Sequence, residues 1–318
     1  MRAIKIISFI LTVYLIWLYF LGIVPVMFDS KTLYMTTKNI NTKPGTGDSQ
    51  TLLLFRELEG LDSLDVLVLG SSHINSNFDP RIFNENSKSC FNLGTPSQTP
   101  MNSYYLLNEY LPILRPKMLI VEVFPGILGN TGFSSFVDIL INRDIDLYSI
   151  FMGYLSSPFE ATNVILITIM NHLISPVSNT TQTKDYSGHE VEYRPGGVSV
   201  IIDSGYDRGD DISEVYVEVK DEQIEYLTKI IQLCNDEQVK ILFITSPFAD
   251  SDTSVFSNYS SVKKEYRDLF KEHDASFVDY NERIQLDTNY FNDWGHLNNR
   301  GVELFSEYVY NYIYIDKQ

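Results

Sequence analysis

Two short stretches carry the residue types of a nucleophilic relay. The first is "VLVLGSSHINSNFDP" (66–80), where a run of Val and Leu stops at a glycine, two serines and a histidine. A strand that ends this way can present a hydroxyl, Ser72, at its carboxyl end. The second is "FNDWGHLNNRG" (291–301), which sets Asp293 three residues before His296. In an Asp-x-x-His turn the carboxylate can accept the imidazole Nδ1–H, fixing the tautomer that leaves Nε2 able to take a proton from a hydroxyl. Taken singly, both stretches have ordinary readings: a serine after a strand is commonly a turn residue, and Asp-x-x-His is a common spacing. In one chain they predict a Ser72–His296–Asp293 relay for attack on an ester or thioester carbonyl.

The remaining candidates point to plainer roles. His73 follows the nucleophile, so its side chain is expected on the opposite side of the turn, in a structural hydrogen bond. His172, His189 and His273 have no ligand-like spacing, and His189-Glu190 lacks the second histidine of a zincin helix. No metal and no cofactor are therefore expected. G-x-S-x-G is absent, which argues against an ordinary α/β-hydrolase elbow. Two cysteines, Cys90 and Cys234, are too few for a disulfide framework and read as buried thiols. A net charge of −17 offers no basic surface to neutralise a phosphate backbone, which excludes nucleic acid as a partner.

The relay needs a scaffold, and the patterning supplies one. Short apolar runs at 64–70, 90–94, 117–124, 239–246 and 275–280 read as strands covered on both faces. Helical segments lie between them. "TPMNSYYLLNEYLPILRP" has Thr99 as N-cap and Pro100 at N1, and the segments around Leu227, Tyr266 and Phe305 repeat apolar residues at helical spacing. Such alternation predicts an α/β domain over 63–318 with a parallel sheet of about five strands. Ligands of such sheets sit at the carboxyl ends of the strands, where Ser72 falls. Residues 127–218 break the rhythm with an aromatic, helix-like half and a Gly/Asp-rich, β-like half. They are expected to form a lid or substrate-binding insertion.

Ahead of the domain, Ile6 to Phe28 form an uncharged apolar stretch that spans roughly 35 Å as a helix, enough to cross a bilayer. Arg2 and Lys5 precede it and Asp29 follows, so residues 1–28 are expected to be an uncleaved, single-pass signal anchor; the rival reading is a cleaved signal peptide, against which stand the length of the apolar run and the lack of an A-x-A-like site after it. That places the N-terminus in the cytoplasm and the domain outside, in the periplasm or at the cell surface. Residues 29–62 then form a polar tether ending in a short helix.

These blocks resemble the SGNH (GDSL-type) hydrolases, in particular the membrane-anchored DltD-like branch. Gly70-Ser71-Ser72 matches the first family block, "FNLGTPSQ" offers Gly94 for the second, and Asp293-Trp294-Gly295-His296 matches the last. The resemblance covers roughly residues 64–125 and 236–310 and implies a flavodoxin-like three-layer α/β/α fold. It also implies that the backbone N–H groups of Ser72 and Gly94 form an oxyanion hole. The third block, G-x-N-D, is missing: the strand ends "VEVFPG". Losing one oxyanion donor costs about 10²–10³ in rate, so Asn92 or Gln98 is the candidate substitute. The implied function is a serine esterase or O-acyltransferase acting on acyl groups of cell-envelope polysaccharide or an acylated small molecule, with a membrane-bound O-acyltransferase as partner. The alternative is an inactive scaffold that binds glycan or assembles an envelope acylation complex.

Overall fold

The computed structural model describes residues 2–18, 49–174, 191–202, 205–207 and 214–316. Strands β1 (Val66–Leu69), β2 (Cys90–Asn92), β3 (Met118–Glu122), β6 (Lys240–Thr245) and β7 (Ser276–Asp279) form one sheet in the order β2-β1-β3-β6-β7. Every pairing in it is parallel. The chain reverses direction across the sheet between β1 and β3, and it is outside this switch point that open α/β sheets hold their ligands.

Alternation along each strand divides the core in two. Leu67, Leu69, Leu119, Val121 and Phe243 face one layer, and Val66, Val68, Ile120, Leu242 and Ile244 face the other. The first layer is closed by α5 (Pro100–Leu114), α9 (Asp221–Asp236) and α10 (Tyr259–Glu272), with α2 (Ser49–Leu58) beside them. The second is closed by α3 (Ser72–Asn77), α4 (Arg81–Glu85), α11 (Tyr280–Arg283) and α12 (Asn299–Tyr314). This is the three-layer arrangement expected of the strand–helix alternation. Thr99 caps α5 through a capping box with Asn102, and Pro100 occupies its first turn, as the local signals require.

The 127–218 segment is more closely built in than a lid. Its helices α6 (Phe133–Ile141), α7 (Leu147–Ser156) and α8 (Pro158–Ile174) stack outside α5. Phe136, Ile139 and Leu140 of α6 are fully buried in the same core as α5 and α9. This half cannot leave the domain without opening that core. The other half supplies a two-stranded hairpin, β4 (Val191–Arg194) and β5 (Val198–Ile201), packed on α3. The hairpin turn caps the sheet edge: the Asn92 N–H donates to the Gly196 carbonyl at 2.7 Å. A Cβ on Gly197 would lie 2.1 Å from the Asn92 carbonyl oxygen, so only glycine allows that approach.

Helix α1 (Arg2–Leu18) covers the first part of the apolar 6–28 stretch, and residues 19–48 lie outside the described residues. Among the described residues no helix is long and apolar enough to cross a membrane. Cys90 and Cys234 are free, buried thiols. Burial pushes both upward in pKa, Cys234 to about 12, so neither is a thiolate at neutral pH.

Candidate active site

Ser72 lies at the carboxyl end of β1 as the first residue of α3. Two glycines and a carboxylate make its turn possible. Gly70 has φ +151°, and a Cβ there would come within 2.7 Å of the Glu122 Cβ and 2.9 Å of the Ile74 Cγ2. Gly94 is as tightly confined, 2.7 Å from Ile74 on the same measure. Glu122, the last residue of β3, is buried beneath the turn: its Oε2 accepts the Ser71 N–H (3.1 Å) and the Ser71 hydroxyl (2.9 Å). Ser71 in turn caps α3 by accepting the His73 N–H. The β1–β3 pairing thus reaches the nucleophile through one carboxylate.

The base arrives from the far end of the chain. Asp293 closes its own loop, with Oδ1 accepting the N–H groups of Gly295 (2.8 Å) and His296 (2.7 Å). Its Oδ2 lies 2.8 Å from the His296 Nδ1, and the His296 Nε2 lies 3.2 Å from the Ser72 Oγ. Ser72, His296 and Asp293 therefore form one continuous line. Asn77 of α3 pins this loop from beneath: its Nδ2 donates to the Gly295 carbonyl and its Oδ1 accepts the Leu297 N–H. Asn75, two residues earlier, donates to the Gly94 carbonyl. One short helix ties the nucleophile to both neighbouring loops.

The electrostatics suit a proton relay. Burial pushes the Asp293 carboxyl up, but the His296 charge, its ring N–H and the two backbone N–H donors outweigh burial and hold the group at about 2. Asp293 is thus ionised at neutral pH and can orient the imidazole. Glu122 goes the other way: burial raises it to about 7 against the Ser71 hydrogen bonds and the His296 charge.

His73 is not where the sequence pattern predicts. Its ring turns toward the catalytic loop, with centroids 4.7 Å from His296, 3.8 Å from Phe124 and 5.5 Å from Trp294. Its buried Nδ1 has no hydrogen-bond partner, which replaces the expected structural hydrogen bond. Burial and then the His296 charge hold its pKa well below the ordinary range, so the ring is a neutral, apolar support. Gly295 permits this packing, since a Cβ there would lie 2.7 Å from the His73 Cε1.

The expected oxyanion donors are also corrected in part. The Ser72 N–H opens α3 and has no intrahelical acceptor, so it remains available. The Gly94 N–H, however, donates to the Asn92 Oδ1 at 3.0 Å. The Asn92 amide donates to the carbonyls of Ile74 and Phe78, and the Gln98 amide to the Ser103 hydroxyl. Both side chains are buried in structural hydrogen bonds, Asn92 through both N–H groups of its amide and Gln98 through one, so Asn92 does not replace the missing third-block donor. Of the other histidines, His273 caps α10, His172 lies in α8 and His189 lies outside the described residues. Among the described residues no group of three His, Cys, Asp or Glu side chains could hold a metal ion. A cleft of about 1010 Å³, lined in part by Asp65, Lys117 and Lys240, opens at the amino ends of the strands, on the far side of the sheet from Ser72.

No family model and no curated protein matches the chain. Solved structures do. It is similar to a GDSL-like lipase from Bacteroides thetaiotaomicron at 11% identity and a TM-score of 0.42, covering 83% of this chain and 96% of that one. It is similar to a lipase/acylhydrolase from Enterococcus faecalis at 14% identity and a TM-score of 0.39, covering 79% and 95%. It is also similar to an acetyl-xylooligosaccharide esterase from Geobacillus at 10% identity and a TM-score of 0.39, covering 80% and 96%. At these values the functional reading rests on the geometry of the site.

Proposed function

We propose that this chain is a serine esterase or O-acyltransferase, tethered to the membrane by its N-terminal apolar segment and working outside the cytoplasm on acyl groups of envelope polysaccharide. The observation that carries the reading is the unbroken Ser72–His296–Asp293 line, with Ser72 on the carboxyl side of a parallel sheet. In the first step the Ser72 Oγ bonds to the ester carbonyl carbon while its proton passes to the His296 Nε2. The carbonyl oxygen takes the negative charge within reach of the Ser72 N–H. When the tetrahedral adduct collapses, the alcohol leaves with the proton from His296, and the acyl group stays on Ser72. Water or a sugar hydroxyl then gives its proton to His296, attacks the acyl carbon and releases Ser72.

A tether supports polymer as the acceptor, because it raises the local concentration of the domain at membrane-borne glycan and acyl supply. A membrane-bound O-acyltransferase is the natural donor-side partner. One observation favours a second reading, an inactive scaffold that binds glycan or assembles an acylation complex: the Gly94 N–H is spent within its own turn. A fluorophosphonate probe separates the two. Labelling of the native chain that is lost in Ser72→Ala is expected of the enzyme, and a native chain that never labels while folded would overturn it.

A further inference from the structure

Five rings gather where the carboxyl ends of β1, β3 and β6 meet the turn that carries His296. His73, Phe248 and Phe256 are buried and form a floor. Phe124 and Trp294 lie on it half-buried, with centroids 6.0 Å apart and planes tilted by 37°. Phe124 rests on His73 at 3.8 Å and on Phe256 at 5.4 Å. Trp294 rests on Phe248 at 5.5 Å and on Phe256 at 5.9 Å. The floor is filled, so the two upper rings are supported from below and keep part of their surface for solvent.

Trp294 is also fixed through its backbone. Its carbonyl accepts the Ala249 N–H at 3.0 Å, and Asp293 and Gly295 on either side are held by the bonds described above. Among the described residues its indole N–H meets no acceptor, whereas a fully buried indole would need one. A fixed ring with an open donor is preorganised for a ligand.

The reaction determines which part of a ligand reaches this ring. The leaving alcohol takes its proton from the His296 Nε2, and an entering hydroxyl gives its proton to the same atom. In both directions the alcohol oxygen must come within hydrogen-bond reach of that nitrogen. The alcohol portion therefore lies beside the turn at 293–296, while the acyl portion stays on the Ser72 Oγ. Trp294 is part of that turn, and Phe124 borders it through the His73 ring, 4.7 Å from His296. An uncharged aromatic face with one N–H donor suits an alcohol that is flat, with C–H groups on its faces and hydroxyls at its edge. A pyranose ring has this form: its C–H groups meet the negative faces of the rings, and the indole N–H meets a hydroxyl or the ring oxygen.

We propose that Trp294, with Phe124 beside it, is the platform that receives the sugar ring of the alcohol portion and so sets the preference for a saccharide ester. The proposal rests on the reading of the chain as an esterase or acyltransferase of envelope polysaccharide. It adds the residue that tells a sugar from another alcohol.

The test compares esters of one acid in the full chain, held in detergent micelles. The saccharide esters are mono-O-acetylated tetrasaccharides of β-1,4-linked glucose and of N-acetylglucosamine. The reference is trifluoroethyl acetate, whose alcohol has no ring to stack. In Trp294→Leu the ratio of kcat/KM on a saccharide ester to kcat/KM on the reference should fall at least about tenfold, carried by KM, and Trp294→Tyr should recover part of it. A ring that only holds the turn would lower both activities together, and an unchanged ratio for both saccharides overturns the platform. Binding is read separately, without a substitution at the platform. The chain has two tryptophans, so Trp17→Phe in Ser72→Ala leaves Trp294 as the only one. Its emission should change and saturate with a tetrasaccharide ester and stay constant with the reference. Constant emission with both tetrasaccharides overturns the platform even if Trp294→Leu does not fold. A native chain that turns over the reference and fails these tests keeps the esterase reading without the platform. A native chain that turns over none of the esters loses that reading, and the proposal with it.

Discussion

Two turns meet at the candidate site, and they are held by different means. The turn that carries the base is closed by one of its own residues: Asp293 accepts two N–H groups within three positions and orients the His296 ring as well. The turn that carries the nucleophile is held from outside, by a buried carboxylate on β3, 51 residues further along the chain. A local device moves with its sequence wherever the fold places it. A tertiary one exists only once β1 and β3 have paired, so the nucleophile is the half whose position the sheet controls.

Four measurements can break or sharpen this contrast. The largest effects should come from the line itself. Ser72→Ala and His296→Ala should each cut kcat/KM on a small activated ester by roughly 10⁴–10⁶, and the double variant should be scarcely worse than either. Additive losses would mean that the two turns do not serve one step. Asp293→Asn keeps an oxygen for the backbone N–H groups but presents the wrong partner to the Nδ1–H, and should cost roughly 10⁴ in rate with folding intact. Turnover within a few-fold of the native chain would remove Asp293 from the mechanism.

A smaller loss, about 10²-fold, is expected of Gly295→Ala, because the new Cβ must push the His73 ring and with it the loop. No loss would show that the His73 ring does not position the base's turn. The smallest effect on rate belongs to Glu122→Gln, which keeps an acceptor for Ser71; its signature is in stability against pH. The Glu122 carboxyl is raised from an ordinary 4.5 to about 7, so the folded chain binds the proton more tightly than the unfolded one. Its stabilising contribution is full below pH 4.5 and is lost as pH rises through about 7, a change of roughly 3 kcal/mol. Chemical denaturation across that window should show this decline in the native chain and a flat profile in Glu122→Gln. Identical profiles would mean that the carboxylate is not titrating under the turn.

The same contrast explains what was legible in the sequence. The five strands, the capped α5 and the Asp-x-x-His turn are written in local patterns, and the structure places all of them where the patterns point. Glu122 was visible only as a lone acid in an apolar run, because its partner is chosen by strand pairing. The sequence puts His73 on the opposite side of the turn, where it would fall if the half-turn alternation of a strand continued. It stands instead at the start of a helix, where the next residue turns by about 100°, and this carries its ring to the loop at 293–296. Asn92 and Gln98 have the right chemistry for an oxyanion, but burial commits their amides to carbonyl and hydroxyl partners. The uncharged α7 reads like a core helix until exposure is known, since composition alone does not say which face turns inward.

The pairing of β3 with β6 has a consequence for how the molecule comes into being. Leu119 lies beside Ile241 in that register, so the middle of the sheet joins segments far apart in synthesis. Ser72 leaves the ribosome 224 residues ahead of His296, roughly 10–45 s at ordinary elongation rates. During that interval β2, β1 and β3 can assemble with α5, but one edge of β3 waits for a partner not yet made. Distant parallel pairing of this kind is slow to form. Esterase activity would therefore appear only when the two halves of the sheet have closed, and its onset during refolding would time that closure directly.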